Sequence, residues 1–197
     1  MPEKALLIVD VQNDFCPGGA LAVPDGDRVV PVLNDYAQRF ANDGHRVFAS
    51  RDWHPQVTRH FKEQGGPWPP HCVAGSHGAA FHPQLKLPPD ASVLTKGTDP
   101  EDDGYSAFEA ADAKGQNLSD VLKKDDVASL YVGGLATEYC VRASVMDGLK
   151  TGLDVVVLLD AVRGIDVNDG DVARALDEMI RAGARTATLA TIDQELE

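Results

Sequence analysis

The sequence predicts a three-layer α/β/α fold built on a mainly parallel, six-stranded sheet. Short continuous runs of aliphatic residues, of which Ala5–Val9 is the clearest, are typical of strands that are buried on both faces of a parallel sheet. Between these runs lie segments whose apolar residues recur every three to four positions, which is helical spacing. Regular alternation of the two patterns predicts βαβ units.

In the first half of the chain, the strand Ala5–Val9 is followed by a helix, because apolar residues at helical spacing run from Val29 to Phe40. The turn-forming sequence Asn42-Asp43-Gly44 ends that helix. Two short runs bounded by polar or turn residues, Arg46–Ala49 and Ser92–Thr95, are predicted as the second and third strands.

The second half repeats the alternation. A helix is predicted at Tyr139–Lys150 because Val141, Val145 and Leu149 share one of its sides. A last long helix is indicated by apolar positions between Val172 and Ile180. The remaining elements are a short helix at Leu118–Lys124 and strands at Ala128–Val132, Asp154–Leu159 and Thr186–Leu189.

One region departs from this alternation. Residues 52–90 contain five of the six histidines and both tryptophans, without a clear strand or helix period. Long irregular segments in compact domains are usually functional or disordered, and the aromatic content argues against disorder. We therefore expect a single domain over residues 1–197 that carries an irregular insertion at 52–90.

The composition excludes some classes of partner. The net charge is −13, so a nucleic-acid or anionic membrane surface is not expected as a partner, because both attract basic patches. No run of apolar residues approaches the roughly 18 that a membrane helix needs. Three cysteines without a C-x-x-C pair, and no secretory segment, favour reduced thiols and a cytoplasmic protein. The sequence leaves the oligomeric state open.

Cys140 is the leading candidate for a reactive group. It lies between the predicted strand Ala128–Val132 and the predicted helix Tyr139–Lys150, at the edge of the sheet where α/β proteins bind ligands. A helix N-terminus favours the thiolate, so we expect a lowered pKa for this thiol. The alternative is a buried structural cysteine, since free cysteines are often buried.

Two charged residues follow other predicted strands. Asp10 comes directly after Ala5–Val9, where partial burial would raise its pKa and suit it to acid–base catalysis. Lys96 comes directly after Ser92–Thr95. Taken singly, the first could be a structural turn residue and the second a surface lysine. Their shared position at one sheet edge, together with Cys140, favours a nucleophile with its base and an electrostatic partner.

A second set of residues could bind a metal ion. Asp52 and His54 follow the second predicted strand, and His60 and His71 lie further along the insertion. Carboxylate and imidazole ligands suit zinc, manganese and iron. Local hydrogen bonding of loop histidines is the alternative, and it fits the remaining histidines best: His45, His77 and His82.

These residues lie in motifs that together resemble the nicotinamidase/pyrazinamidase branch of the isochorismatase-like cysteine hydrolases. The matching segments run in the family's order over nearly the whole chain. They are Leu7–Phe15, Ser50–Pro55, Trp68–Gly75, Lys96-Gly97, Tyr105–Phe108, Gly134–Val141 and Asp160–Ile165.

The resemblance implies roles for individual residues. It assigns the catalytic triad to Asp10, Lys96 and Cys140, and an oxyanion hole to the backbone N–H groups of Ala136 and Cys140. It also implies a cis peptide bond between Leu135 and Ala136. The implied ligands of one divalent metal ion (zinc, iron or manganese) are Asp52, His54, His60 and His71, and the implied aromatic pocket residues are Phe15, Trp68 and Tyr105.

The function implied by the resemblance is hydrolysis of nicotinamide to nicotinate and ammonia through a cysteine thioester, with a role in NAD salvage. Pyrazinamide is an expected second substrate. Two other hypotheses stay open at this point. One is hydrolysis of a different small amide, such as a carbamoyl or ureido compound. The other is a metal-binding or redox-sensing protein that uses the same side chains without turnover.

Overall fold

The computed structural model describes residues 3–193, in which strands and helices alternate as the sequence predicts. The strands are β1 (Glu3–Val9), β2 (Arg46–Asp52), β3 (Ser92–Lys96), β4 (Val127–Leu135), β5 (Asp154–Arg163) and β6 (Arg185–Ala187). The α-helices are α1 (Val29–Asn42), α2 (Leu118–Lys124), α3 (Arg142–Lys150) and α4 (Asp171–Arg181). A π-helical turn, Thr137–Val141, precedes α3, and short 3-10 turns lie at Asn13–Phe15, Gly26–Arg28, Lys62–Gln64 and Ala107–Glu109.

The six strands form one sheet in the order β3-β2-β1-β4-β5-β6, and all neighbouring pairs are parallel. The predicted fold class is confirmed. The strand order reverses direction between β1 and β4, so the loops that follow these two strands leave on opposite sides of the sheet. This arrangement opens a crevice at the carboxyl ends of the central strands, where ligands bind in open α/β sheets.

Helices cover both faces of the sheet. Leu6 and Ile8 of β1 belong to a buried cluster with α1 on one face. Leu7 and Val9 belong to a second cluster that includes residues of α2, α3 and α4 on the other face. Because every second residue of a strand points to the same face, the aliphatic run of β1 fills both clusters. Full burial of each such side chain stabilises the fold by about 1.5–3 kcal/mol.

The fifth strand continues beyond its predicted end. The sequence predicts a strand that ends at Leu159, whereas β5 extends to Arg163 through the charged Asp160. The pairing of β4 with β5 shifts register after Val132, which lets the strand continue. The Asp160 carboxylate is tolerated because it accepts hydrogen bonds from the Tyr36 hydroxyl and the Leu189 backbone, both at 2.8 Å.

Two other boundaries differ from the sequence prediction. The helix predicted from Tyr139 begins as an α-helix only at Arg142, because the preceding residues form the π-helical turn. The last strand, predicted at Thr186–Leu189, ends at Ala187. Leu189 is drawn out of the sheet because its backbone N–H donates to Asp160.

Residues 53–91 connect β2 to β3 and are irregular apart from one 3-10 turn, as expected. Backbone hydrogen bonds from His54 to Cys72 and from Ala74 to His54 fold this segment back on itself. All three cysteines are free. Within residues 3–193, we find no helix with the length and apolar character needed to cross a bilayer.

Candidate active site

The ends of four strands bring the predicted reactive residues together. Asp52 and Lys96 are the last residues of β2 and β3 and are direct partners in the register of that pair. Asp10 follows β1 with a left-handed φ of 50°. Cys140 lies in the π-helical turn after β4. One oxygen each of Asp10 and Asp52 and the Cys140 sulfur all lie within 4.8 Å of one another.

Lys96 is the electrostatic centre of this group. Its buried ammonium lies 2.8 Å from Asp10 Oδ2 and also contacts the Asp52 carboxylate. It donates to the Gly104 carbonyl at 2.9 Å and to Cys140 Sγ at 3.4 Å. Burial alone would lower its pKa, but the two carboxylates raise it well above the usual value, so this lysine is a permanent cation.

Asp10 has the environment of a base that accepts protons readily. Its side chain is fully buried, and this burial raises its pKa although Lys96 acts in the opposite direction. A second hydrogen bond, donated by Ser50 Oγ to Asp10 Oδ1 at 2.7 Å, fixes the plane of the carboxylate. The left-handed backbone at Asp10 turns the chain sharply after β1, so the side chain faces the crevice.

The sequence prediction of a lowered pKa for Cys140 is wrong. Burial raises the pKa of this thiol well above its usual value; Asp10 and Asp52 raise it further, whereas Lys96 lowers it. The α-helix begins two residues after the cysteine, so the expected helix-terminus effect is weaker than the burial. Cys140 is therefore a neutral thiol at rest and needs a base to become a nucleophile.

The turn before Cys140 has an unusual backbone. The Leu135–Ala136 peptide bond is cis, as the family resemblance implies. The Ala136 carbonyl accepts hydrogen bonds from the N–H groups of Tyr139 and Val141, which closes the π-helical turn. Ala136 and Cys140 both line the same cavity, so an oxygen bound there would be near this backbone.

Three buried histidines form a cluster beside the thiol. The ligand nitrogens of His54, His60 and His71 lie within 4.8 Å of one another. In each ring, Nδ1 faces an oxygen: the Gly97 carbonyl at 3.0 Å, an Asp103 carboxylate oxygen at 3.1 Å and the Pro69 carbonyl at 2.8 Å, respectively. Nδ1–H groups donated to these oxygens leave the three Nε2 atoms as lone-pair donors, which is the arrangement typical of metal-bound histidines.

This cluster fits a divalent metal ion. His54 Nε2 is buried and has no hydrogen-bond partner among residues 3–193. Burial lowers the pKa of His60 and lowers that of His71 to about 4, so these imidazoles are neutral, as metal ligands must be. Asp52 Oδ2 lies 3.6 Å from His54 Nε2 and can serve as a fourth, anionic ligand. The four residues predicted to bind the metal are therefore adjacent.

A cavity connects the thiol with the histidines. Its lining includes Cys140 together with His60 and His71. Phe15, Trp68 and Tyr105, the predicted aromatic residues, all line it. Trp68 Nε1 donates to the Tyr105 hydroxyl at 2.9 Å, and this hydrogen bond holds two of the aromatic side chains in place.

Several residues of the site were not found by the sequence analysis. Leu21, Tyr139 and Ile165 also line the cavity. Gln12 donates to the Asp52 carbonyl and accepts from the Asp52 N–H, both at 2.8 Å, and so fixes the backbone of a candidate metal ligand. Gln12, Tyr139 and Ile165 lie inside the matching segments Leu7–Phe15, Gly134–Val141 and Asp160–Ile165, which was the available signal for them. The residues that line this cavity do not include His45, His77 or His82.

Comparison with known proteins gives a consistent match. The isochorismatase domain family matches residues 4–193. A nicotinamidase of Escherichia coli is 43% identical over 96% of this chain and 97% of its own length. A pyrazinamidase of Pyrococcus horikoshii, solved in complex with zinc, is 45% identical with a TM-score of 0.88, covering 95% of this chain and 100% of the other. A protein from L. infantum, solved in complex with nicotinate, is 32% identical with a TM-score of 0.83 and covers 96% and 94%.

Proposed function

The chain belongs to the isochorismatase domain family, and we propose that it is a metal-dependent amidohydrolase that converts nicotinamide to nicotinate and ammonia. One observation carries this proposal: a single cavity is lined both by the thiol of Cys140 and by His60 and His71 of the histidine cluster. The cavity can therefore hold an amide at the thiol while a ring is fixed at the metal. The similar proteins named above are a nicotinamidase, a pyrazinamidase and a nicotinate-binding protein.

The reaction begins at the buried thiol. Asp10 takes the proton from Cys140 Sγ, and the sulfur attacks the carboxamide carbon to form a carbon–sulfur bond. The negative charge moves to the amide oxygen, and in this proposal the backbone N–H groups of Ala136 and Cys140, which both line the cavity, donate hydrogen bonds to it. Donors of this kind are worth roughly 3 kcal/mol each in the transition state.

The second half of the reaction reverses the proton transfer. Asp10 gives its proton to the departing nitrogen, the carbon–nitrogen bond breaks, and ammonia leaves a thioester on Cys140. Asp10 then takes a proton from water, whose oxygen attacks the thioester carbon. The carbon–sulfur bond breaks, the proton on Asp10 returns to the sulfur, and the product acid gives the second water proton to solvent and leaves as nicotinate. The raised pKa of Asp10 suits a group that accepts and gives one proton in each half.

Lys96 stays protonated throughout. Its contacts with Asp10 and Cys140 stabilise negative charge at whichever of the two groups has lost its proton. The proton moves between Asp10 and Cys140, so the net charge of these two residues and Lys96 together stays constant. This avoids the cost of an unpaired charge in a buried site.

Asp52, His54, His60 and His71 would hold the metal ion, which is zinc, iron or manganese on the chemistry of the ligand set. When bound, the ion supplies a coordination position for a ring nitrogen. Phe15, Trp68 and Tyr105 line the cavity, so they would pack against the ring and exclude water from it. Orientation of the amide against the thiol in this manner lowers the entropy cost of the attack. Pyrazinamide has a carboxamide and a ring nitrogen in the same relation, so we propose it as a second substrate.

We further propose that the enzyme acts in the cytoplasm and returns nicotinamide to NAD synthesis as nicotinate. The net charge of −13 and the free, buried cysteines support a reducing compartment without a nucleic-acid or anionic membrane partner. Two alternatives, hydrolysis of another small amide and a sensor role without turnover, would use the same thiol. Both would differ from the proposed function in how the protein responds to nicotinamide.

The test is ammonia release from nicotinamide and from pyrazinamide by the purified, metal-loaded protein, with Cys140→Ala as the matched variant. We expect release by the parent and at least a thousandfold loss in the variant, because the nucleophile is absent. Nicotinamide binding by the variant should persist, since its pocket is intact. Absence of release from a folded, metal-loaded parent would contradict the proposal, and strong residual release by the variant would exclude the thioester route.

A further inference from the structure

Glu138 links the nucleophile turn to a second loop. It lies two residues before Cys140, and its side chain reaches the segment that follows β5. Its Oε1 atom accepts hydrogen bonds from two consecutive backbone N–H groups, Ile165 at 2.8 Å and Asp166 at 2.7 Å. Hydrogen bonds from N–H groups to a carboxylate are about twice as strong as those between neutral groups. The carboxylate therefore anchors this loop firmly to the turn.

The loop is shaped to receive this carboxylate. A Cβ atom on Gly164 would lie 2.3 Å from Glu138 Oε2 and 2.3 Å from a methyl carbon of Val172, so a larger residue there would displace these side chains. Glu138 Oε2 is buried and accepts no hydrogen bond within the part of the chain that the structure describes. At its far end the loop is held again, because Asp166 Oδ1 accepts from the Val172 N–H at 3.1 Å. The segment is thus fixed at both ends.

Ile165 is the residue that this anchoring places in the cavity. Its side chain lines the cavity together with Cys140 and the aromatic residues. Glu138 itself is absent from the residues that line the cavity, so its effect on a bound ring passes through Ile165. An aliphatic side chain at a fixed position limits the size and tilt of a flat ring, and small changes in such pockets alter selectivity by about 10- to 200-fold.

We propose that Ile165 is a specificity-determining wall for the aromatic ring, and that Glu138 is the positioning residue that fixes this wall relative to Cys140. The inference rests on the proposed function for the identity of the ring. It assigns to Glu138 a role in ring binding that is separate from the proton transfers at Asp10.

The test compares Glu138→Ala, Glu138→Gln and Ile165→Ala with the metal-loaded parent. Two rates are measured: steady-state hydrolysis of nicotinamide, and alkylation of Cys140 by iodoacetamide with and without nicotinamide. Glutamine keeps an oxygen that can accept from both N–H groups, whereas alanine loses both hydrogen bonds. Iodoacetamide is small and does not need the wall, so its rate without nicotinamide reports on the thiol alone.

We expect Glu138→Ala to raise KM and to weaken protection by nicotinamide about tenfold, with kcat and unprotected alkylation changed less than about threefold. Glu138→Gln should restore protection. Ile165→Ala should resemble Glu138→Ala, and the double variant should be no worse than either single variant, because both changes remove one wall.

Each other outcome overturns the inference. Equal loss of unprotected alkylation and of turnover in Glu138→Ala would show that the residue supports the nucleophile turn instead of the wall. Additive losses in the double variant would separate Glu138 from Ile165. Unchanged protection in Glu138→Ala would remove its role in binding. If the parent itself is not protected by nicotinamide, the proposed function fails first, and this result is distinct from the others.

Discussion

At the scale of single residues, Lys96 shows how the site can hold two buried carboxylates. Asp10 and Asp52 are both at or near zero exposure and share this one ammonium group. Removing one partner from a buried ionic group is costly because it leaves an uncompensated charge in a medium of low polarity. Lys96 therefore contributes to folding as well as to the proposed chemistry.

The first prediction concerns this lysine. Lys96→Met keeps the apolar part of the side chain but removes its charge, so Asp10 and Asp52 lose their cation. We expect the free energy of unfolding at pH 7 to fall by about 3–5 kcal/mol and hydrolysis to be lost. Urea unfolding followed by circular dichroism measures the first effect. Lys150→Met is the control, because Lys150 pairs with Asp147 on the surface and such pairs contribute less than about 1 kcal/mol. Similar stability of both variants would contradict this account.

Cys140 shows where sequence reasoning fails for a single residue. Its position between a strand and a helix could be predicted, and the structure has it there. The direction of its pKa shift could not be predicted, because that direction depends on the burial of the thiol and on the charges of residues at the ends of other strands. Local sequence contains the helix terminus but neither the burial of the thiol nor the distant carboxylates, and burial is the largest cause of the raised pKa.

At the scale of elements, an exposed ion pair joins β5 to β6 at the edge of the sheet. Asp154 at the start of β5 accepts from Arg185 of β6 through both oxygens, at 3.0 and 2.7 Å. These hydrogen bonds lower the pKa of Asp154 below its ordinary value of 3.8. The two side chains are 44% and 42% exposed, so water screens the pair and its contribution to stability is below about 1 kcal/mol.

The second prediction is a pH dependence at this edge. A carboxylate whose pKa is lower in the folded than in the unfolded state stabilises the fold above the unfolded pKa, near 3.8, and loses that effect as the pH falls through the folded pKa. Asp154→Asn should thus cost up to about 1 kcal/mol at pH 7 and at pH 5, and less at pH 3.5. Urea unfolding at the three pH values measures this.

The control for that prediction is Asp177→Asn on α4. Its pair with Arg181 has a longer separation of 3.5 Å and side chains that are 67% and 82% exposed, so we expect almost no effect at any pH. A cost for Asp154→Asn that stays constant down to pH 3.5 would rule out the ionic origin.

The elements themselves were largely predictable, and the errors have physical causes. The aliphatic runs located every strand because burial on both faces requires them. The fifth strand was predicted to end at Leu159, one residue before the charged Asp160. In the structure, the Asp160 carboxylate accepts hydrogen bonds from Tyr36 and Leu189, which lie 124 and 29 residues away in the sequence. No local pattern contains such partners.

At the scale of the whole molecule, metal binding should couple to stability. The histidine cluster joins the end of β2 to a long irregular segment, and ligand atoms this close exist only in the folded chain. A ligand that binds the native state at a hundred times its Kd stabilises it by about 2.7 kcal/mol. For a chain of this length, that corresponds to a rise in Tm of roughly 5–10 °C.

The third prediction follows from this coupling. Zinc, iron(II) or manganese(II) added to chelator-treated protein should raise Tm by that amount, as measured by differential scanning calorimetry. His54→Ala should abolish the rise because a buried ligand is lost. His82→Ala is the matched control and should keep it, since His82 is not among the clustered histidines. A similar rise in both variants would show that the metal stabilises the chain elsewhere.

The general position of the site was predictable because parallel strands end at one edge of a sheet. Asp10, Asp52 and Lys96 follow from that rule and from the predicted strands. Leu21 and Ile165 were not predicted to line the cavity, although Ile165 ends a matching segment, because they come from loops whose course is set by contacts such as the one between Glu138 and the loop after β5. The tautomers of His54 and His71 likewise depend on backbone carbonyl oxygens, whose positions cannot be read from the local sequence.

The position of β1 in the middle of the sheet has a consequence for folding. This first strand pairs on one side with β2 and on the other with β4, whose residues are made more than a hundred positions later. Contacts between such distant segments form late, because closing a long loop costs entropy before any contact compensates for it. Neither half of the chain can therefore assemble the site alone. A nascent or truncated chain contains the sequence motifs but lacks the assembled active site. Activity that returns during refolding therefore reports that the sheet is complete.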